Sequence, residues 1–161
     1  MSIESIINQS LDMVGYKRHI GSIWDGSAAA RVALNAYAET RDEVLAMQPW
    51  MFARAFATLS TSAVLTPPVG LRVWARPANA IVILDVYQST LMTSEPTRWF
   101  ERYHADTRLI LTSFLSAEAA MTQRVLDPDD WSPDFTSVVI QALARKLAPL
   151  VGAPPKEDEK Q

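Results

Sequence analysis

The spacing of apolar residues changes period twice along this chain, and that limits the folds open to it. Near the N-terminus Ile3, Ile6, Ile7, Leu11 and Val14 recur every three or four residues, which marks one face of a helix. Ser2 precedes them as a cap and Gly15 follows as a stop. A second helical stretch runs over about residues 28–48, with Ser27 as its cap. Val32, Leu34, Tyr37, Val44 and Leu45 follow the helical period among alanines, and Arg31, Glu39, Arg41, Asp42 and Glu43 read as the solvated face. Pro49 ends it, and residues 50 to about 59 read as one or two further helical turns. From Leu71 the period falls to two. Residues 80–87 and 108–114 read as strands and 98–104 as an edge strand; 116–126 reads either as a helix starting at Ser116-Ala117-Glu118 or, favoured by the alternation of Met121, Gln123 and Val125, as a strand paired with 108–114. The helical period returns after DPDDWSPDF, where Ser132 caps, Pro133 opens and Phe135, Val138, Val139, Ala142, Leu143 and Leu147 form the apolar face.

Two helical ends around a strand-forming middle predict an α+β fold. The expected architecture is a small helical bundle, with a long helix at about 28–48 packed on a C-terminal helix at about 133–151. An antiparallel β segment is inserted at about 71–125. Residues 1–152 read as a single domain. Residues 153–161 read as a C-terminal tail that is disordered alone, because Pro154 and Pro155 break the helix and six polar or charged residues follow.

Composition narrows the function. The 161 residues contain no cysteine, which removes disulfides, thiolate metal sites and cysteine nucleophiles. The net charge is -3, from 15 basic and 18 acidic residues, and gives no basic footprint for gripping nucleic acid or an anionic membrane. No apolar run approaches the roughly 20 residues of a membrane span, and the first residues lack the basic start and cleavage site of a secretory leader. A protein folded in the cytoplasm is expected.

Chemistry-bearing motifs are missing. His19 and His104 lack a GxSxG, HExxH or similar frame, and pairing either with Asp25 or Asp106 has no support beyond proximity in sequence. Five glycines supply no phosphate-cradling loop. Asp127, Asp129 and Asp130 are acidic enough to suggest calcium, but the glycine turn and closing glutamate of a calcium loop are absent, so they read as a solvated turn before a helix. No catalytic, metal or cofactor-binding residue is expected, and no enzyme.

Three stretches, in order, carry a resemblance. The first is IINQSLDMVG followed by SAAARVALNAYAETRDEVLAMQPWMFARAFATL, with Trp50 and Phe52 in its W-x-F unit. The second is Trp74-Ala75-Arg76-Pro77-Ala78-Asn79-Ala80 followed by IVILDVY. The third is R-V-x-D-P-x-x-W-x-P-x-F, from Arg124 through Asp127, Pro128, Trp131 and Pro133 to Phe135, leading into a helix with Ala142-Leu143-Ala144. Together they resemble the head-to-tail adaptor proteins of tailed bacteriophages, also called connector, gateway or tail-tubular type A proteins. Asn79 stands where the family usually has aspartate, and Met121 where it usually has tyrosine.

The resemblance implies a structural virion protein. About a dozen copies would form a homo-oligomeric ring between the portal protein and the next neck or tail protein, whether stopper, nozzle or tail terminator. DNA would pass through the lumen without sequence-specific binding, and assembly would take place in the host cytoplasm. On this reading Arg98 and Arg102 meet Asp127, Asp129 and Asp130 of a neighbouring subunit. Pro154, Pro155, Lys156, Glu157, Asp158, Glu159 and Lys160 form a portal-docking tail, with a merely solubilising end as the alternative. Two other readings compete: a small hydrolase or ligand-binding domain, and a host-directed protein-binding regulator.

Overall fold

A computed structural model describes residues 1–17, 19–22, 24, 28–88 and 99–151, with the side chains of 28, 29, 150 and 151 left aside. Among these residues the fold is mixed α and β, with three α-helices and two antiparallel three-stranded sheets. The chain divides into two compact units. Met1–Met47 and the chain from Val125 onward form one; Gln48–Arg124 forms the other. No helix among the described residues is long and apolar enough to cross a membrane.

The first unit is helical. Helix α1 spans Ile3–Met13, and the Ser2 hydroxyl accepts the Ser5 N–H at 3.2 Å as its cap. It ends at Val14, and Gly15 follows at φ +75, a conformation that favours glycine. Ile6, Ile7 and Leu11 are buried, as their spacing requires. Helix α2 spans Ala28–Met47 and helix α3 spans Pro133–Val151. Helix α3 packs against both α1 and α2. Ser10 ties α1 to α3, donating from its buried hydroxyl to the Ile140 carbonyl at 3.1 Å. Asn8 clamps the segment after α1, donating to the Ile20 carbonyl at 3.0 Å and accepting the Ile20 N–H at 2.9 Å. The proposed cap Ser27 and the tail 153–161 lie outside the described residues.

Two readings of α2 need correction. Arg41 is not on the solvated face: it is 8% exposed, and its guanidinium lies 2.8 Å from the Asp42 carboxylate. Its aliphatic stem covers apolar surface while the charge keeps a partner. Val32, placed on the apolar face, is exposed. Small residues do that work instead, with Ala30 and Ala33 buried beside Tyr37, Val44 and Leu45.

The second unit opens with a single 3-10 turn, Met51–Ala53, and then strand β1, Arg54–Thr58. Residues 50–59 are therefore mostly strand, not the helical turns expected of them. The alanines suggested helix, yet Arg54, Phe56 and Thr58 alternate outward while Ala55 and Ala57 pack on the core. Pairing to a neighbouring strand overrides the weak local preference.

Strands β2 (Arg72–Ala75), β3 (Ala80–Gln88), β4 (Trp99–His104), β5 (Thr107–Thr112) and β6 (Ala117–Gln123) complete the unit. One sheet has the order β1-β6-β3 and the other β2-β5-β4. The strand at 117–123 exists, but it pairs with β1 and β3 and not with the strand before it. Residues 113–116 carry the chain from one sheet to the other instead of turning it back. Ala117, Ala119 and Ala120 are almost fully buried, and their small side chains suit a central strand. The expected loop 89–97 lies outside the described residues.

The two sheets share one core. Trp74 and Ile110 come to it from one sheet, and Ile83, Val86, Ala119 and Met121 from the other. Val73, Leu109 and Leu111 point to the opposite face of the β2-β5-β4 sheet and gather Leu65 and Leu71. Arg76 joins the sheets at one end. It donates to the Ala80 carbonyl at 2.5 Å, the Ile81 carbonyl at 2.8 Å and the Glu101 carboxylate at 3.0 Å. Trp99 adds a second tie, donating from Nε1 to Asp85 at 3.2 Å.

The β4–β5 hairpin turns through Ala105 and Asp106, both at positive φ (46 and 60). Two-residue turns of this kind favour Asn-Gly, because a Cβ in the left-handed region costs about 1 kcal/mol or more. The double substitution Ala105→Asn/Asp106→Gly is expected to stabilise the protein by roughly 0.5–1 kcal/mol in urea unfolding. Unchanged or lower stability would contradict the turn geometry.

Candidate functional site

The segment Val125–Phe135 concentrates the most sequence-specific geometry of the helical unit. Asp127 caps a 3-10 turn at Pro128–Asp130, its carboxylate accepting the Asp129 N–H at 2.9 Å. Pro128 opens that turn, where a missing N–H costs nothing. Trp131 then turns inward, and its Nε1–H donates to the Val125 carbonyl at 3.2 Å. The Ser132 hydroxyl accepts the Phe135 N–H at 3.4 Å, and Pro133 begins α3. Each residue type at its offset thus has a mechanical role.

The rings meet in one place. Trp131 stacks on Tyr37 of α2 with centroids 6.1 Å apart and planes 18° from parallel. Phe135 presents its edge to Trp131 at 4.8 Å and 87°. These are the offset and edge-to-face arrangements that aromatic quadrupoles favour. Phe135 is fully buried and Trp131 nearly so. Tyr37 is 2% exposed, and its hydroxyl has no hydrogen-bond partner among the described residues. Burial pushes its pKa up from the ordinary 10.0 to about 12, with Arg41 opposing the shift and Asp127 adding to it.

The other expected residues are scattered. Trp50 and Phe52 are half-buried in the second unit, their rings 6.4 Å apart and tilted by 49°. Trp74 lies in the shared core of the sheets with its indole N–H unpartnered among the described residues, and Pro77 sits in the turn before β3. Arg102 is exposed on β4. Arg98 and the tail residues Pro154 to Lys160 lie outside the described residues. Asp127, Asp129 and Asp130 are exposed, but Asp127 is the cap just described and Asp129 pairs with the Met1 ammonium group. Arg76, which the sequence shows only within the second motif stretch, is mostly buried and committed inside the unit. Its neighbours Trp74 and Pro77 were visible in the sequence; its three acceptors were not.

The His19 ring lies 2.7 Å from Asp12, and both partners are exposed, while Asp25 lies outside the described residues. Among the described residues no group of three His, Asp or Glu side chains is placed to hold a metal ion. A groove of about 560 Å³ beside α1 and the start of α3 is lined by Met13, Trp131, Ile140 and Gln141 among others, and contains no histidine. No protein-family model and no curated protein matches this chain.

Phe135→Ala is expected to destabilise the protein by about 3–5 kcal/mol, because it empties a fully enclosed aromatic site. Urea unfolding that moves by less than about 1 kcal/mol would contradict the packing. Tyr37 makes a pH prediction. Its raised pKa means that its contribution to stability is complete below pH 10 and is lost as pH rises toward 12. Tyr37→Phe is expected to be neutral or slightly stabilising near neutral pH, since it removes an unpartnered hydroxyl. It should also flatten the loss of stability between about pH 9 and about pH 11. Parallel alkaline curves for the two proteins would contradict the assignment.

Proposed function

We propose that this chain is a head-to-tail adaptor of a tailed bacteriophage, and not an enzyme. In this reading about a dozen copies form a ring on the portal protein, extend the DNA channel and present a landing surface to the next neck or tail protein. The subunit is a small helical bundle, α2 on α3, carrying an inserted β region. It resides in the virion neck after assembly in the host cytoplasm.

The observation that carries the reading is the Arg124–Phe135 segment. The residues that bear the family resemblance are those with structural roles: Asp127 as cap, Trp131 and Phe135 as core rings, Pro128 and Pro133 as helix openers. A motif of caps and core rings, with no reacting group, suits a protein whose work is assembly. The charge supports it too. A net charge of -3 is compatible with a lumen through which DNA slides, since each phosphate contact would add affinity and friction.

The test is the mass of the purified chain with and without the portal protein of its own phage. The expected result is a multi-copy complex on the portal, measured by native mass spectrometry. A chain that stays monomeric with its portal would overturn the reading. Deletion of residues 153–161 is expected to leave thermal stability nearly unchanged and to reduce portal binding. Wild-type affinity in the truncated protein would make the tail a solvated end.

A further inference from the structure

Charge is divided between the two units. Residues 48–124 carry seven arginines and five acidic residues, whereas the rest of the chain carries thirteen acidic and eight basic residues. All four lysines lie outside 48–124, so the positive charge of the β unit is entirely guanidinium. Arginine is the cation enriched at protein interfaces, and lysine the one depleted there.

Internal pairing then sorts the arginines. Arg76 is committed to Glu101 and two carbonyls, and Arg54 lies over the Phe56 ring at 5.7 Å. Arg102 and Arg108, on the β4–β5 hairpin, are exposed and have no ionic partner among the described residues. Strand β4 is an edge of its sheet. It pairs with β5 in unbroken register over six residue pairs, from Trp99 to His104. It has no proline, lysine or bulge, the devices by which edges avoid other chains. The other edge of that sheet is covered, because Ser62 donates to Val73 and Ala75 to Ser60 beside β2. Phe100 lies on the same face of β4 as Arg102 and is 45% exposed, while Tyr103 on the other face is 65% exposed. An arginine beside an exposed aromatic, on a strand that is an edge among the described residues, has the composition of an interface core.

The acidic side is sorted in the same way. Asp127 is used as a cap and Asp129 is paired with the N-terminal ammonium, while Asp130 is exposed with no described partner and Asp134 lies exposed in the first turn of α3. We propose that the exposed face of β4 that carries Arg102 and Phe100 docks on the Asp130–Asp134 corner of a second copy of this chain. The two surfaces belong to different units of the subunit. Made in one direction, such a contact is heterologous, and repetition of it builds a ring or a filament. This deepens the adaptor reading and rests on it: it names the contact by which neighbours in the ring meet, and narrows the acidic partner to the two carboxylates that the fold leaves free.

The experiment is a charge swap in the full-length protein, using Arg102→Glu, Asp130→Arg and the double variant. Self-association is measured by mass photometry, alone and on the portal protein, and thermal unfolding confirms that each variant folds. Each single reversal is expected to weaken association at least about tenfold, and the double variant to recover most of it. Added salt is expected to weaken the wild-type contact. Wild-type association in both single variants overturns the pairing but leaves the adaptor reading intact. Weakened single variants with no recovery in the double also overturn the pairing. A wild-type chain that stays monomeric alone and on its portal overturns both.

Discussion

The helical unit depends on one indole ring. Trp131 stands between Tyr37 of α2 and Phe135 of α3, two residues 98 positions apart in the chain. Its ring supplies area to both neighbours, and its N–H is satisfied by the Val125 carbonyl only because Asp127 and Pro128 fold the intervening backbone into a 3-10 turn. A buried indole without that acceptor would forfeit a hydrogen bond as well as packing. Capping, turn and core are thus one device, and it fixes where α3 begins.

The β unit uses a different constraint. Its two sheets share a core of modest side chains, many of them alanine, so burial alone supplies less there than in the helices. Polar ties compensate. Arg76 holds two carbonyls and a carboxylate, and Trp99 reaches Asp85 across the sheets. The guanidinium is suited to this because its fork satisfies several acceptors at once. Phe100 and Arg102 stay exposed on β4, outside these ties.

The helices were legible because their signals are local. Ser2, Gly15, Ser132 and Pro133 act within a turn of their own positions, and most of the apolar positions spaced along α1 and α3 are buried, with Ile3, Val14, Val138 and Ala142 half-buried. Strand existence was legible wherever β-branched residues gather, as at Ala80–Gln88. Strand pairing was not. In alanine-rich β1 and β6 the alternation competes with alanine's preference for helix, and their partnership is set by long-range fit of small side chains between sheets. Arg41 and Arg76 escaped for a related reason: nothing in a sequence tells a solvated arginine from one whose acceptors lie across the fold. The candidate site was legible in its motif residues, but the ring of Tyr37 that completes it appeared only as one apolar position among several.

The central claim is that the aromatic corner at Trp131 holds α2 and α3 as one cooperative element. Native-state hydrogen exchange on Trp131→Ala tests it most directly. The account predicts that amides along both α2 and α3 lose protection together, by about a hundredfold or more, corresponding to roughly 3 kcal/mol of lost stability. Faster exchange confined to residues 125–132, with both helices still protected as in the wild type, would contradict it.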